Sequence, residues 1–142
     1  MSKPVPIGTR GVVEQRVEYK NTLAAWKADL PPVLSTPTMI AWMEYAGYEA
    51  MAPFCEDGEV SVSTAINVVH RAPTGVGARV KCEAVMESLN GRFLTFRVSA
   101  HSGSEVIGYG TIGRAFVNVG KFNEKFRAGE TEEKKNPTQT EA

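Results

Sequence analysis

Two alternating runs meet at Asn90-Gly91, and together they restrict the fold more than any other part of the chain. Before the turn, Val80, Cys82, Ala84 and Met86 alternate with Arg79, Lys81, Glu83 and Glu87. After it, Leu94, Phe96 and Val98 alternate with Thr95, Arg97 and Ser99. A period of two sends each set to its own face of a strand. Asn-Gly suits a two-residue hairpin, because both central residues of a type I′ turn need positive φ. The pattern predicts an antiparallel sheet with one apolar face, and that face requires a cover.

The cover is a helix expected over 37–52. Thr36 is the expected N-cap, its hydroxyl accepting from an orphaned amide, and Pro37 fits the first helical position. Met39, Met43, Ala46 and Ala50 recur at helical spacing, as do Ile40, Gly47 and Met51. Pro53 helps to end the helix. Further strands are expected over 11–18, 60–70 and 106–119. In the second of these Val62, Thr64, Ile66, Val68 and His70 share one face, turned towards the helix. Residues 20–33 read as irregular or partly helical, with Pro31-Pro32 blocking any continuation. One long helix against a curved antiparallel meander is an α+β layout, and a sheet wrapped round a single helix is the hotdog arrangement.

At 142 residues the chain holds one domain with a proper core. That domain is assigned to 1–127. From 128 to 142 there is no large apolar residue, a composition that predicts a tail without fixed structure. Lysine plus arginine equals aspartate plus glutamate, 16 each, with no basic stripe, which argues against a nucleic-acid partner. No apolar run approaches 18 residues, so no membrane span is expected. Met1-Ser2-Lys3-Pro4 lacks the apolar centre of a signal peptide, which points to a cytoplasmic protein. Cys55 and Cys82 have no metal or redox spacing and read as free thiols, Cys82 as a buried one.

Few residues offer chemistry. Glu44 sits in the helix with Ile40, Ala41, Gly47 and Tyr48 as its nearest neighbours, a setting that favours a raised carboxyl pKa and a role as base or nucleophile. A solvated helix edge is the plainer alternative. His70, at a strand end on the face turned to the helix, is of a residue type that can act near neutral pH; taken alone, a hydrogen-bonded structural histidine is the better fit. His101 reads as a turn residue. Two histidines without ligand-spaced partners make a poor metal site. Thr36 and Glu44 lie eight residues apart, about 12 Å along a helix axis. Joint action requires an extended substrate or a site drawn from two subunits. Arg114 stands among apolar residues of the last strand, fit for a phosphate or for a structural bridge. There is no GxSxG elbow, phosphate-binding loop or dinucleotide fingerprint.

The chain resembles the hotdog-fold thioesterases related to fluoroacetyl-CoA thioesterase. The resemblance rests on Ser35-Thr36-Pro37 through Met43-Glu44, and on Ser63-Thr64-Ala65-Ile66 through His70-Arg71-Ala72-Pro73-Thr74. It continues in Asn90-Gly91-Arg92-Phe93-Leu94-Thr95-Phe96, and in Ile107-Gly108-Tyr109-Gly110-Thr111 through Arg114 and Lys121-Phe122. It implies a catalytic group of Thr36, Glu44 and His70, and hydrolysis of an acyl-CoA substrate by a homodimer with no metal or other cofactor. It places Ser63 and Thr64 beside the substrate, and makes Arg114 a candidate contact for the CoA phosphate.

Three departures stand out. Ser63 occupies a place where the family pattern has glycine, and Ile112-Gly113 replaces a His-Glu pair. The segment 26–34 is shorter than in the fluoroacetyl enzyme and lacks its phenylalanines. The resemblance therefore implies a small or medium acyl-CoA rather than a fluoroacetyl specialist. A non-catalytic acyl-CoA binder is the second reading. A hotdog hydratase ranks last, because its helical Asp/His arrangement is absent.

Overall fold

The structure, a computed structural model, describes residues 3–126. The tail expected over 128–142 lies outside the described residues. Five strands form one antiparallel sheet: β1 (Arg10–Arg16), β2 (Glu59–His70), β3 (Arg79–Asn90), β4 (Phe93–Ser102) and β5 (Glu105–Asn118). Their order is β1-β3-β4-β5-β2, so β1 and β2 are the edges. Between β1 and β2 the chain makes a short helix α1 (Leu23–Trp26) and the long helix α2 (Thr36–Met51). A final turn of helix, α3 (Val119–Lys125), follows β5.

The α+β hotdog expectation holds. Helix α2 touches all five strands, which is possible only if the sheet curls round it. The helical periodicity named the buried face correctly. Met39, Met43, Ala46 and Met51 are fully buried, and Ala50 almost so. They meet Val80, Cys82, Ala84, Met86, Phe96, Val98 and Ala100 from the sheet, the inward set of both alternating runs. Each large buried side chain contributes about 1.5–3 kcal/mol. This single core is therefore what holds α2 in the curl.

Three local expectations shift by one residue. The β3–β4 hairpin is centred on Gly91-Arg92, because Asn90 pairs with Phe93. Gly91 alone has positive φ, at 64°, while Asn90 and Arg92 do not. That is the type II′ requirement, glycine at the first central position, rather than the type I′ turn expected. The cap of α2 is Ser35, whose hydroxyl accepts from the amide of Thr38, so Thr36 is the first helical residue and not the cap. Finally, β2 contains a bulge. Ser63 pairs with Arg114 and Ala65 with Gly113, leaving Thr64 as an extra residue. The shared face expected for Val62, Thr64, Ile66, Val68 and His70 is therefore broken. Ser61 and Ser63 turn inwards before the bulge, and Val68 and His70 after it.

Candidate active site

The start of α2 and the end of β2 carry the first half of the site. Because Ser35 satisfies the helix amide, the Thr36 side chain is available to another partner. Thr36 Oγ1 lies 2.6 Å from His70 Nδ1, a short hydrogen bond across 34 residues of sequence. Thr36 is exposed and His70 half-buried, so the pair sits at the molecular surface with the ring leaning inwards. Nε2 of His70 is buried and has no hydrogen-bond partner. The imidazole is thus addressed through one nitrogen only, on the side that meets solvent and Thr36.

The second half lies two turns further along α2. Glu44, Tyr45 and Tyr48 face Ser61, Val62, Ser63 and Arg114 across an open cavity of about 420 Å³. Thr36 and His70 do not line it. Arg114 points from β5 under the helix and is only 3% exposed. Its passage depends on Gly47, where an added Cβ would stand 2.8 Å from Arg114 Cδ. The guanidinium is fully engaged. Nε donates to Ser61 Oγ, and Nη2 to the oxygen and hydroxyl of the same residue. Nη1 donates to the Glu44 carbonyl at 3.3 Å and to Ser63 Oγ at 2.8 Å.

Arg114 forms part of the cavity wall, because the inward phase of β5 buries it, and its five N–H groups are engaged by Ser61, Ser63 and the Glu44 carbonyl. Thr64 is exposed on the bulge and lies outside the cavity lining, because the extra residue takes it off the inward face.

Electrostatics tie the cavity together. Burial pushes the Arg114 pKa down, and the nearby charge of Glu44, followed by Tyr48 and Cys55, works against that shift. Glu44 therefore has a cation in reach that its helical neighbours did not reveal. Among the described residues no carboxylate comes within ion-pair distance of the guanidinium. Cys55, near the same charge, has its thiol pKa raised by burial and then by Glu59. Among the described residues no group of three His, Cys, Asp or Glu side chains is placed to hold a metal ion.

The family model for fluoroacetyl-CoA-specific thioesterase matches residues 17–120. The chain belongs to this family. The matched span runs from the end of β1 to the start of α3 and takes in both halves of the site. The chain is also 47% identical over 100 residues to the fluoroacetyl-CoA thioesterase of Streptantibioticus cattleyicolor, covering 70% of this chain and 72% of that protein. A solved structure of fluoroacetyl-CoA thioesterase superposes with a TM-score of 0.83 at 39% identity, over 89% of this chain and 98% of that one. A Thermus thermophilus hypothetical protein of the thioesterase superfamily follows at 0.82 and 27% identity, over 94% and 98%.

The arrangement joins Thr36 to His70, and Glu44 to Ser63 and Arg114. It does not join the two groups within one chain, since eight residues of helix, about 12 Å of rise, separate them. Ser61 is the functional neighbour that the sequence reading missed. Only the bulge reveals that it points inwards, and no alternating pattern contains that information.

Proposed function

We propose that the chain hydrolyses the thioester of a small or medium acyl-CoA, releasing the free acid and CoA, and that it works in the cytoplasm as a homodimer. The observation that carries the catalytic assignment is the 2.6 Å contact between Thr36 Oγ1 and His70 Nδ1. With the imidazole proton on Nε2, Thr36 donates to Nδ1, and His70 acts as base through Thr36, whose oxygen takes the proton of an attacking water as its own proton passes to Nδ1. A water, or Glu44 itself, adds to the acyl carbon. The carbon–sulfur bond breaks, and in the water route the departing thiolate takes up the proton that the imidazole received. If Glu44 attacks, CoA leaves as the thiolate and takes its proton from solvent, and a water then hydrolyses the resulting acyl-enzyme with His70 as base.

The dimer is supported by the open edge of β2. Ala65, Ile66, Asn67 and Val69 are exposed there, with Ile66 at 46% and Val69 at 47%. An unprotected apolar edge invites pairing with another strand. A second copy set against β2 gives the Thr36–His70 half of one subunit a neighbouring Glu44 half on the other. A panel of acyl-CoA thioesters, read by release of free thiol, tests the activity. Saturable hydrolysis of a short or medium member is expected. Tight binding without turnover across the panel would favour the non-catalytic acyl-CoA binder.

A further inference from the structure

A buried guanidinium in a cavity wall is normally an anion site, because its donors form a planar fork suited to a carboxylate. Arg114 is such a group, and among the described residues no carboxylate lies within ion-pair distance of it, the charge of Glu44 acting on it from farther away. Four of its five N–H bonds go to atoms that belong to the fold itself: Ser61 Oγ twice, the Ser61 carbonyl and the Glu44 carbonyl. The fifth goes to Ser63 Oγ at 2.8 Å, the shorter of the two bonds made by Nη1. Both partners of Nη1 belong to residues that line the cavity. The Ser63 hydroxyl therefore stands between the charged donor and the space beside Glu44. Having accepted from Nη1, the hydroxyl keeps its own proton, so the cavity meets a neutral O–H in place of a cationic N–H.

We propose that Ser63 is a specificity-determining residue that masks Arg114. By holding Nη1 it makes the cavity select uncharged acyl groups and release the carboxylate that hydrolysis generates. The inference rests on the cavity being the acyl site of the thioesterase proposed above. A thioester carbonyl is a neutral acceptor and is served by a hydroxyl donor. The product acid is an anion, and an unmasked guanidinium would hold it by a charge-assisted bond, stronger than a neutral one by roughly a factor of two. A side chain without a hydroxyl at position 63 leaves one Nη1 donor unsatisfied and aimed at the cavity, where an anion is its best partner.

The test is a binding measurement on the intact protein that requires no turnover. Calorimetric titration with acetate, and with the neutral isostere acetamide, compares wild type with Ser63→Ala and Ser63→Thr. Acetate is expected to bind Ser63→Ala about tenfold or more tighter than wild type, as expected for one added hydrogen bond to a charged group. Acetamide should gain little, and Ser63→Thr, which keeps the hydroxyl, should match wild type. Equal acetate affinity in wild type and Ser63→Ala would overturn the proposal. An equal gain for acetamide would also overturn it, because extra room rather than charge would then be the cause. If acetate behaves as expected while no acyl-CoA is hydrolysed, the masking stands and the thioesterase reading falls. In an active enzyme, inhibition by the product acid should strengthen in Ser63→Ala by the same factor.

Discussion

Thr36 and His70 are joined by a 2.6 Å hydrogen bond because Ser35, one residue earlier, takes the capping duty of α2. Stability and chemistry at the helix start therefore belong to neighbouring residues. Ser35→Ala should cost about 1 kcal/mol, the usual loss for an N-cap, with turnover largely kept. Thr36→Ala should do the reverse, lowering turnover with a smaller loss of stability. Urea midpoints and steady-state rates on the two variants check this. A Thr36→Ala protein with full activity would remove Thr36 from the site.

His70→Ala and Glu44→Ala should each reduce turnover on the order of 10²–10⁴-fold, the range for loss of a general acid or base. His70 has its one partnered nitrogen at the exposed end of the pair. Glu44 lines the cavity wall opposite Ser63. Free-thiol release on the best acyl-CoA of the panel is the measurement. Full rates in both variants would reject the assignment.

Pairing through β2 should make the protein at least dimeric. Light scattering at micromolar concentration should give a multiple of 15.4 kDa. Ile66→Glu places a charge on the open edge strand and should shift the mass towards the monomer and reduce activity together. A wild-type mass of 15.4 kDa would defeat the dimer.

Burial pushes the Cys82 thiol from 9.0 up to about 12. The folded state thus keeps a proton that the unfolded chain has already lost above pH 9. Cys82 leaves stability undiminished below that point. Between pH 9 and about 12 stability falls as pH rises, by about 1.4 kcal/mol per unit. Urea titrations at pH 8, 9.5 and 10.5 on wild type and Cys82→Ala isolate this contribution. The decline should be shallower in the variant.

Fluoroacetyl-CoA and acetyl-CoA should have comparable specificity constants. One small apolar difference in a general pocket is worth about 1–3 kcal/mol. In segment 26–34 Trp26 is 81% exposed, Leu34 is buried in the core, and no phenylalanine is present to shape a selective wall. The ratio of the two constants decides the matter. A preference of many thousandfold for the fluorinated substrate would show that a selective pocket is built by other residues.

The core was legible in the chain because helical and strand periods act over many residues and average out single errors. Met39, Met43, Ala46 and the inward residues of β3 and β4 all lie where those periods place them. The features displaced by one residue depend on competition at a single position. Ser35 and Thr36 are both good caps, and only the proximity of His70 decides which hydroxyl goes where. The environment of Arg114 was not legible at all. Its partners, Ser61, Ser63 and the Glu44 carbonyl, lie 51 to 70 residues away, and no local pattern links them.

The Thr64 bulge gives β2 two phases, and this makes insertions and substitutions unequal in their consequences. Exchanging Ser61 or Ser63 alters the wall beside Glu44 and leaves the His70 end in place. Exchanging Val68 alters the other end alone. Removing Thr64 would restore plain alternation with Ser61, Ser63, Val68 and His70 still facing inwards, whereas a second inserted residue would put the two ends out of phase, so that either the two serines or the histidine would face solvent. Point changes can therefore retune each end of β2 separately, while an added residue at the bulge would disturb both.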